Sequence, residues 1–294
     1  LKTIEIEKIE YEVNPILSGL KLVFLRNLLR SAPGELALKR KGEGSEIYSL
    51  RDYIPGQDDT RSIDWNSVAR TGQILVRDYR VQANLKTYLL IDSSGSMKSK
   101  KTKLLELIYM FTKLTTEFDE ISNGISLHWG HDQVIGSMPV PRKRGIARFV
   151  LNQIQSLETE GESNLAELIS SINKIAARKS LLIIVTDLID SGKWHNSLEA
   201  LCKRHNVLFI HLSALIDHSL PNLGYAYFKN PENNKVSLIN CGDLRLQEEY
   251  RARSLLRANE THAYFQGHSS SLMFWKIDTD IPLSQSLDQA IGVL

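Results

Sequence analysis

The sequence predicts a doubly wound α/β domain with a mostly parallel sheet, preceded by a smaller N-terminal β-rich collar. Three observations carry this. Apolar runs at 88–91, 181–185 and 207–212, the last broken only by His211, have the texture of strands covered on both faces. Segments with apolar residues at helical spacing separate them. The first two runs stop at carboxylates, Asp92 and Asp187. Such alternation is the pattern of βαβ units. The division falls into a collar at 1–84 and an α/β domain at 85–294.

In the collar, residues 3–13 alternate apolar and charged, which reads as a strand with one wet face. Residues 17–29 carry helical apolar spacing, and Pro33-Gly34 ends that helix. The stretch 39–80 is dense in Gly, Arg and Asp. Short strands are expected at 36–39 and 74–79, and Thr60 can cap a short helix over Ile63, Trp65 and Val68. Trp65 reads as a core anchor with its N–H bonded to backbone.

In the α/β domain the spacing predicts helices over 103–118, 147–157, 164–177 and 194–204, and a strand at 125–129. Residues 225–228 and 236–239 read as short strands of an insertion. Residues 244–258 form a charged amphipathic helix, 272–277 an edge or late strand, and 281–291 a closing helix.

Composition narrows the function. The 294 residues include 36 basic and 34 acidic side chains, a net charge of +2. No global basic field marks a nucleic-acid binder. A hydrophobic share of 42% excludes general disorder. Cys202 and Cys241 lie far apart and no CxxC pair occurs, so a reducing, cytoplasmic compartment is expected. No apolar run reaches the roughly 18 residues that span a bilayer. The best, 16–29, contains Lys21, Arg26 and Asn27. No P-loop pattern, no dinucleotide glycine fingerprint after Ile91 and no G-x-S-x-G elbow is present. The expectation is binding, not catalysis.

The chemistry gathers where ligands of open α/β sheets bind, beyond the carboxyl ends of the strands. Asp92-Ser93-Ser94-Gly95-Ser96 forms a DxSxS pattern after the first buried run. It leaves one carboxylate and two alternate hydroxyls on one side of a tight loop. Ser163, at the start of another helix, offers a third hydroxyl, and Asp187 a second carboxylate. Hard cations such as Mg²⁺ prefer such oxygen ligands and retain waters. The plainer reading is a helix N-cap, since Asp and Ser are favoured there. The paired strand-end carboxylates favour the metal.

Lys98, Lys100, Lys101 and Lys103, with Arg142, Lys143 and Arg144, read as solvated faces or as a basic rim for an acidic partner. His128, His131 and Asp132 read as satisfied or exposed side chains, since no third zinc ligand is evident.

The ordered set Asp92, Ser94, Ser96, Ser163 and Asp187 resembles the metal-ion-dependent adhesion site of von Willebrand factor A domains. The resemblance implies that Ser94 and Ser96 ligate Mg²⁺ or Mn²⁺ directly. It implies that Asp92 and Asp187 act largely through water. Ser163 stands where Thr is usual, and Leu188 follows Asp187 where Gly is common.

Upstream, Gly42-x-Gly44-Ser45-Glu46, Leu50-Arg51-x-Tyr53-x-Pro55-Gly56-x-Asp58, Arg61-x-Ile63-Asp64-Trp65, Ala69-Arg70 and Val76-Arg77 occur in that order. This segment resembles the MoxR-associated von Willebrand factor A proteins, a bacterial family catalogued as a domain of unknown function. Its Arg and Asp residues read as a salt-bridged collar, with a partner or nucleotide contact as the alternative. Members often carry two membrane helices before this region, and none is predicted within this sequence. The resemblance implies a MoxR-type AAA+ ATPase as partner, in protein maturation, complex assembly or stress response. The expected function is metal-dependent protein–protein interaction, with a partner's Asp or Glu completing the metal shell. The alternative is a metal-dependent phosphoryl or ester hydrolase using the same cation as Lewis acid.

Overall fold

The computed structural model describes residues 2–17, 19, 46–54, 58, 60–80, 86–117, 124–157, 159–189, 193–267 and 271–292. Helix α1 (Lys2–Val13) is followed by a hairpin of β1 (Glu46–Asp52) and β2 (Leu75–Arg80), with α2 (Trp65–Thr71) between them. Next come β3 (Thr87–Asp92), α3 (Lys101–Glu117), β4 (Gly124–Gly130), β5 (Val134–Pro141) and α4 (Ile146–Ile154). Then follow α5 (Leu165–Ile175), β6 (Leu181–Thr186), α6 (His195–Cys202) and β7 (Asn206–Ser213). The chain closes with β8 (Tyr225–Lys229), β9 (Val236–Asn240), α7 (Leu244–Gln266), β10 (Leu272–Asp278) and α8 (Leu283–Gly292).

Among the described residues the central sheet has six strands in the order β10-β7-β6-β3-β4-β5. All neighbours are parallel except β4 and β5. This is the doubly wound, mostly parallel architecture that the apolar runs predict. Chain order reverses at β3, which has β4 on one side and β6 on the other. That reversal opens a crevice between the carboxyl ends of β3 and β6.

Strand residues alternate between two cores, because successive side chains point to opposite faces. Leu89, Ile91, Ile183 and Val185 pack with α1, α3, α4 and α8. Leu90, Leu182, Ile184 and Phe209 pack with α5, α6 and Phe265 of α7. Asn164 caps α5 by accepting from the Glu167 N–H at 3.2 Å, so this helix starts directly beneath the crevice.

Several expectations are corrected. Residues 3–13 form a helix, not a strand. Ile6, Ile9 and Val13 recur at i, i+3 and i+7, and all three are buried in the same core as α3 and α8. Helix α2 is capped by Asp64, which accepts from the Asn66 N–H and the Ser67 hydroxyl, while Thr60 opens a separate short 3₁₀ turn. Trp65 is 64% exposed and anchors no core. Strand β5 was not anticipated. Its prolines, Pro139 and Pro141, suit an edge strand, where a missing N–H is tolerated.

The expected strand at 36–39 lies outside the described residues, as does most of the helix at 17–29. Gly42, Gly44, Ser45, Pro55 and Gly56 of the collar motif also lie outside them. Among the described residues no helix is long and apolar enough to cross a membrane. Cys202 and Cys241 are both free thiols.

Ile9 is 3% exposed, so Ile9→Ala should cost about 2–4 kcal/mol in urea unfolding. A loss below about 0.5 kcal/mol, as expected of a surface position, would show that α1 contributes no core.

Candidate metal centre

The site grows from the end of β3. Asp92 closes that strand, and its Oδ1 accepts the Ser94 N–H at 2.9 Å. The chain then turns into a 3₁₀ helix, Gly95–Lys100. This turn brings the Ser94 and Ser96 hydroxyls within 3.1 Å of each other. Asp92, Ser94 and Ser96 are all buried.

Two neighbouring loops hold this turn through backbone bonds. Ser93 N–H donates to Gly130 O at 2.8 Å, and Gly95 N–H to Gly161 O at 3.0 Å. Glu160 N–H donates back to Ser93 O at 3.0 Å. The loop 160–164 thereby carries Ser163 to Asp92, where its hydroxyl donates to Oδ2 at 3.1 Å. Asp92, Ser94, Ser96 and Ser163 thus come together in one oxygen-rich cluster.

Asp187 follows β6 and is 3% exposed. Its Oδ1 accepts the Ile189 N–H at 3.2 Å. Leu188 between them takes φ +55°, in the left-handed region that glycine favours. Burial, and next the Asp187 carboxylate, push the Asp92 carboxyl up to about 6. The Asp187 carboxylate thus disfavours the ionised form of Asp92.

Sequence reasoning missed three members. Thr186 donates to Asp92 Oδ2 at 2.8 Å. Lys100 reaches Asp187 Oδ2 at 3.0 Å and Asp217 at 3.1 Å, with only 2% of its side chain exposed. Thr186 carried a readable signal, a hydroxyl just before the strand-end acid. Lys100 stood out only as part of a basic run, and its pairing with Asp217 carried no signal, because 117 residues separate them.

Asp92 and Asp187 lie at this strand end, and the Lys100 ammonium beside Asp187 is shared with Asp217. Among the described residues the carboxylates here thus outnumber the ammonium that pairs with them. The donor set is hydroxyl and carboxylate, the hard-oxygen chemistry of Mg²⁺ or Mn²⁺. Among the described residues no group of three or more His, Cys, Asp or Glu side chains gathers for a metal. The hydroxyls are therefore essential to the fit. Charge and donor type fit a divalent cation, with Asp187 already held by Lys100.

The basic rim does not form as a unit. Lys98 is exposed, but Lys100 is buried, Lys101 donates to Leu157 O, and Lys103 pairs with Glu106 at 2.8 Å. Arg142, Lys143 and Arg144 follow β5, whose end pairs with the start of β4. They sit at the opposite end of the sheet. His128 bonds Ser126 Oγ at 2.9 Å within β4, and His131 pairs with Asp132 at 3.1 Å.

Beside Lys100, His218 lies 2.6 Å from Ser213 Oγ and 2.8 Å from Ser254 Oγ. Burial, then Lys276 and Lys100, push His211 down to about 3.

The family model described as "Protein of unknown function DUF58" matches residues 49–260. The chain belongs to that family. Similar curated relatives are uncharacterised proteins of Mycobacterium tuberculosis and Mycobacterium bovis. Each is 24% identical over 246 residues, covering 81% of this chain and 77% of the relative. Among solved structures, the conserved hypothetical protein BatB from Bacteroides thetaiotaomicron aligns with TM-score 0.37 and 13% identity. It covers 71% of this chain and 100% of that one. The SpRpn10 VWA domain aligns with TM-score 0.38 and 13% identity, covering 70% of this chain and 95% of its own.

Two predictions follow from these contacts. Lys100→Met strands the buried Asp187 carboxylate, so urea unfolding should show a loss of about 3–5 kcal/mol. A loss under about 1 kcal/mol, the size of a surface ion pair, would place Lys100 in solvent. The second concerns acid. His211 is depressed from 6.5 to about 3, so the unfolded chain binds a proton that the folded chain refuses between those values. The resulting stability is present above about pH 6.5 and is lost as pH falls toward 3. His211→Gln should flatten the fall in melting temperature over that window relative to the parent. Parallel curves for the two proteins would contradict this assignment.

Proposed function

We propose that this chain is a protein-interaction module whose grip depends on a divalent cation, Mg²⁺ or Mn²⁺. Ser94, Ser96 and Ser163 would hold the ion, with Asp92 and Asp187 behind them through water. When bound, the cation supplies an electrophilic position for a carboxylate of the partner protein. The chain's own groups set up that position. Thr186 and the Ser94 N–H hold Asp92 in one orientation, and Lys100 holds Asp187. The serine hydroxyls are neutral, so they leave positive charge on the ion for an added Asp or Glu.

The observation that carries this reading is the cluster at the sheet's reversal point: the Ser163 hydroxyl and the Ser94 N–H donate to Asp92, and the Ser94 hydroxyl lies 3.1 Å from that of Ser96. The resemblance to adhesion-type metal sites supports it. The resemblance of the upstream segment supports a MoxR-type AAA+ ATPase as the partner. The role is then that of an accessory or adaptor to such an ATPase, in protein maturation, complex assembly or stress response.

Titration calorimetry with Mg²⁺ and Mn²⁺ tests the site. The parent should bind one ion, and Asp92→Ala and Ser94→Ala should bind none. Capture of the ATPase on immobilised protein should then be lost in chelator and in Asp92→Ala. Equal heats in the parent and both variants would overturn the metal reading. Capture that survives chelator would overturn metal-dependent binding.

A further inference from the structure

The hairpin β8–β9 stands outside the central sheet, in the connection between β7 and α7. A two-stranded hairpin is marginal alone and needs one face packed on something else. Here Ala226, Phe228 and Ile239 are half-buried and form that inner face. Tyr225 and Tyr227 point to the opposite face, as do Leu238, paired with Tyr227, and Val236, paired with Lys229. These four are 73%, 78%, 55% and 59% exposed. Single apolar side chains on a surface need no explanation, but a contiguous group on one small face marks an interaction site. Tyrosine suits such a place, with an apolar ring and a polar tip.

The hairpin is fixed against the metal loop. Asn230 N–H donates to Lys235 O at 2.8 Å and Asn234 N–H to Asn230 O at 2.9 Å, which braces the turn. At the base, Cys241 N–H donates to Gly224 O at 2.6 Å. A Cβ built on Gly95 would collide with the Pro231 carbonyl, so backbone of the turn rests on the residue between Ser94 and Ser96. Tyr227 is four positions from Pro231. The chain between them spans at most about 14 Å. An extended segment of about six residues covers that distance. Charge selects the occupant. Lys229 stands on the outer face, Lys235 in the turn and Lys98 on the metal loop, and all three are exposed. The one acid within 224–241 is Glu232, which lies in the turn and not on this face.

We propose that the outer face of β8–β9 is the second half of the partner surface, and that its occupant is an extended acidic segment of the partner protein. The segment's Asp or Glu enters at the metal loop. Its neighbouring aromatic or aliphatic side chains lie over Tyr225, Tyr227, Val236 and Leu238. This rests on the metal-dependent interaction proposed above. The two halves do different work. The ion and the three ammonium groups select negative charge, which sets orientation and on-rate. The apolar face supplies the buried anchors that carry most of an interface's affinity. The ion alone accepts any carboxylate, so the hairpin is what discriminates among acidic segments.

The test pans a random linear peptide library against the parent in Mn²⁺ and measures the enriched peptides by fluorescence polarisation. Enriched peptides should carry an Asp or Glu with aromatic or aliphatic residues within about six positions. They should bind the double variant Tyr227→Ser, Leu238→Ser about tenfold more weakly than the parent. Titration calorimetry should give that variant the parent's Mn²⁺ affinity, which separates loss of the face from misfolding. Lys229→Glu should weaken binding as well, by repelling the acid. Equal affinity for parent and double variant, with binding still lost in chelator, would overturn the hairpin surface and leave the metal reading standing. Binding that is lost in the double variant but survives chelator and Asp92→Ala would overturn the metal reading and support the hairpin as a docking face. No enrichment on the parent over the double variant would overturn the proposal. Sedimentation of the parent as a dimer and of the double variant as a monomer would assign the face to a second copy and overturn it too.

Discussion

Parallel pairing of β3 with β6 is the constraint on which the rest of the site depends. The register sets Thr87 against Leu181 and Ile91 against Val185. It therefore carries Asp92 up beside Thr186, and Asp187 one residue further. Both strands are covered on both faces, so the first polar groups past their ends are desolvated. Buried carboxylates are costly unless they find donors or cations. Asp92 takes three donors, Ser94 N–H, Ser163 Oγ and Thr186 Oγ1. Asp187 takes the ammonium of Lys100. What remains is an excess of negative charge lined with hydroxyls, at the place where chain order reverses.

Three loops make that place rigid. The turns after β3, after β4 and before α5 exchange backbone hydrogen bonds at 93, 95, 160 and 164. Asn164 N–H bonds His131 O at 2.7 Å while its side chain caps α5. Ser163 is thus aimed at Asp92 by a helix start, not by its own rotamer alone. The missing methyl of Ser in place of Thr removes one restraint on χ1, and this backbone net supplies another. The hairpin from beyond β7 reaches the same loop through Pro231 and Gly95, so a fourth segment shapes the mouth of the site.

The collar follows different physics. Arg51 forks onto Asp58, whose Oδ2 also accepts the Ile54 N–H at 3.0 Å. Asp64 is spent on capping α2. These acids and bases fix a segment whose buried apolar residues, among those described, are Ile63 and Val76. The salt-bridged reading of the collar therefore has a physical basis in Arg51 and Asp58. Helix α1, which the sequence division at 84–85 assigns to the collar, shares the core of the α/β unit through Ile6, Ile9, Val13 and Leu17.

The sequence alone determined the sheet's central strands, because residues buried on both faces are apolar in near-continuous runs, as 88–91, 181–185 and 207–210 are. It also singled out the oxygen-bearing side chains that lie close in sequence or at a helix start and gather in the structure, Asp92, Ser94, Ser96 and Ser163, since local turns and caps have residue signatures. It left α1 open to misreading, because Ile4 and Ile6 fit a period of two as well as a helix. Only the tertiary structure decided that the acids would share a cation from Lys100, that Thr186 would face Asp92, and that Pro231 would arrive over Gly95. Those contacts join segments 87 and 94 residues apart in the first two cases. No local pattern encodes them. They follow from strand order, which is set by how all the apolar faces are buried at once.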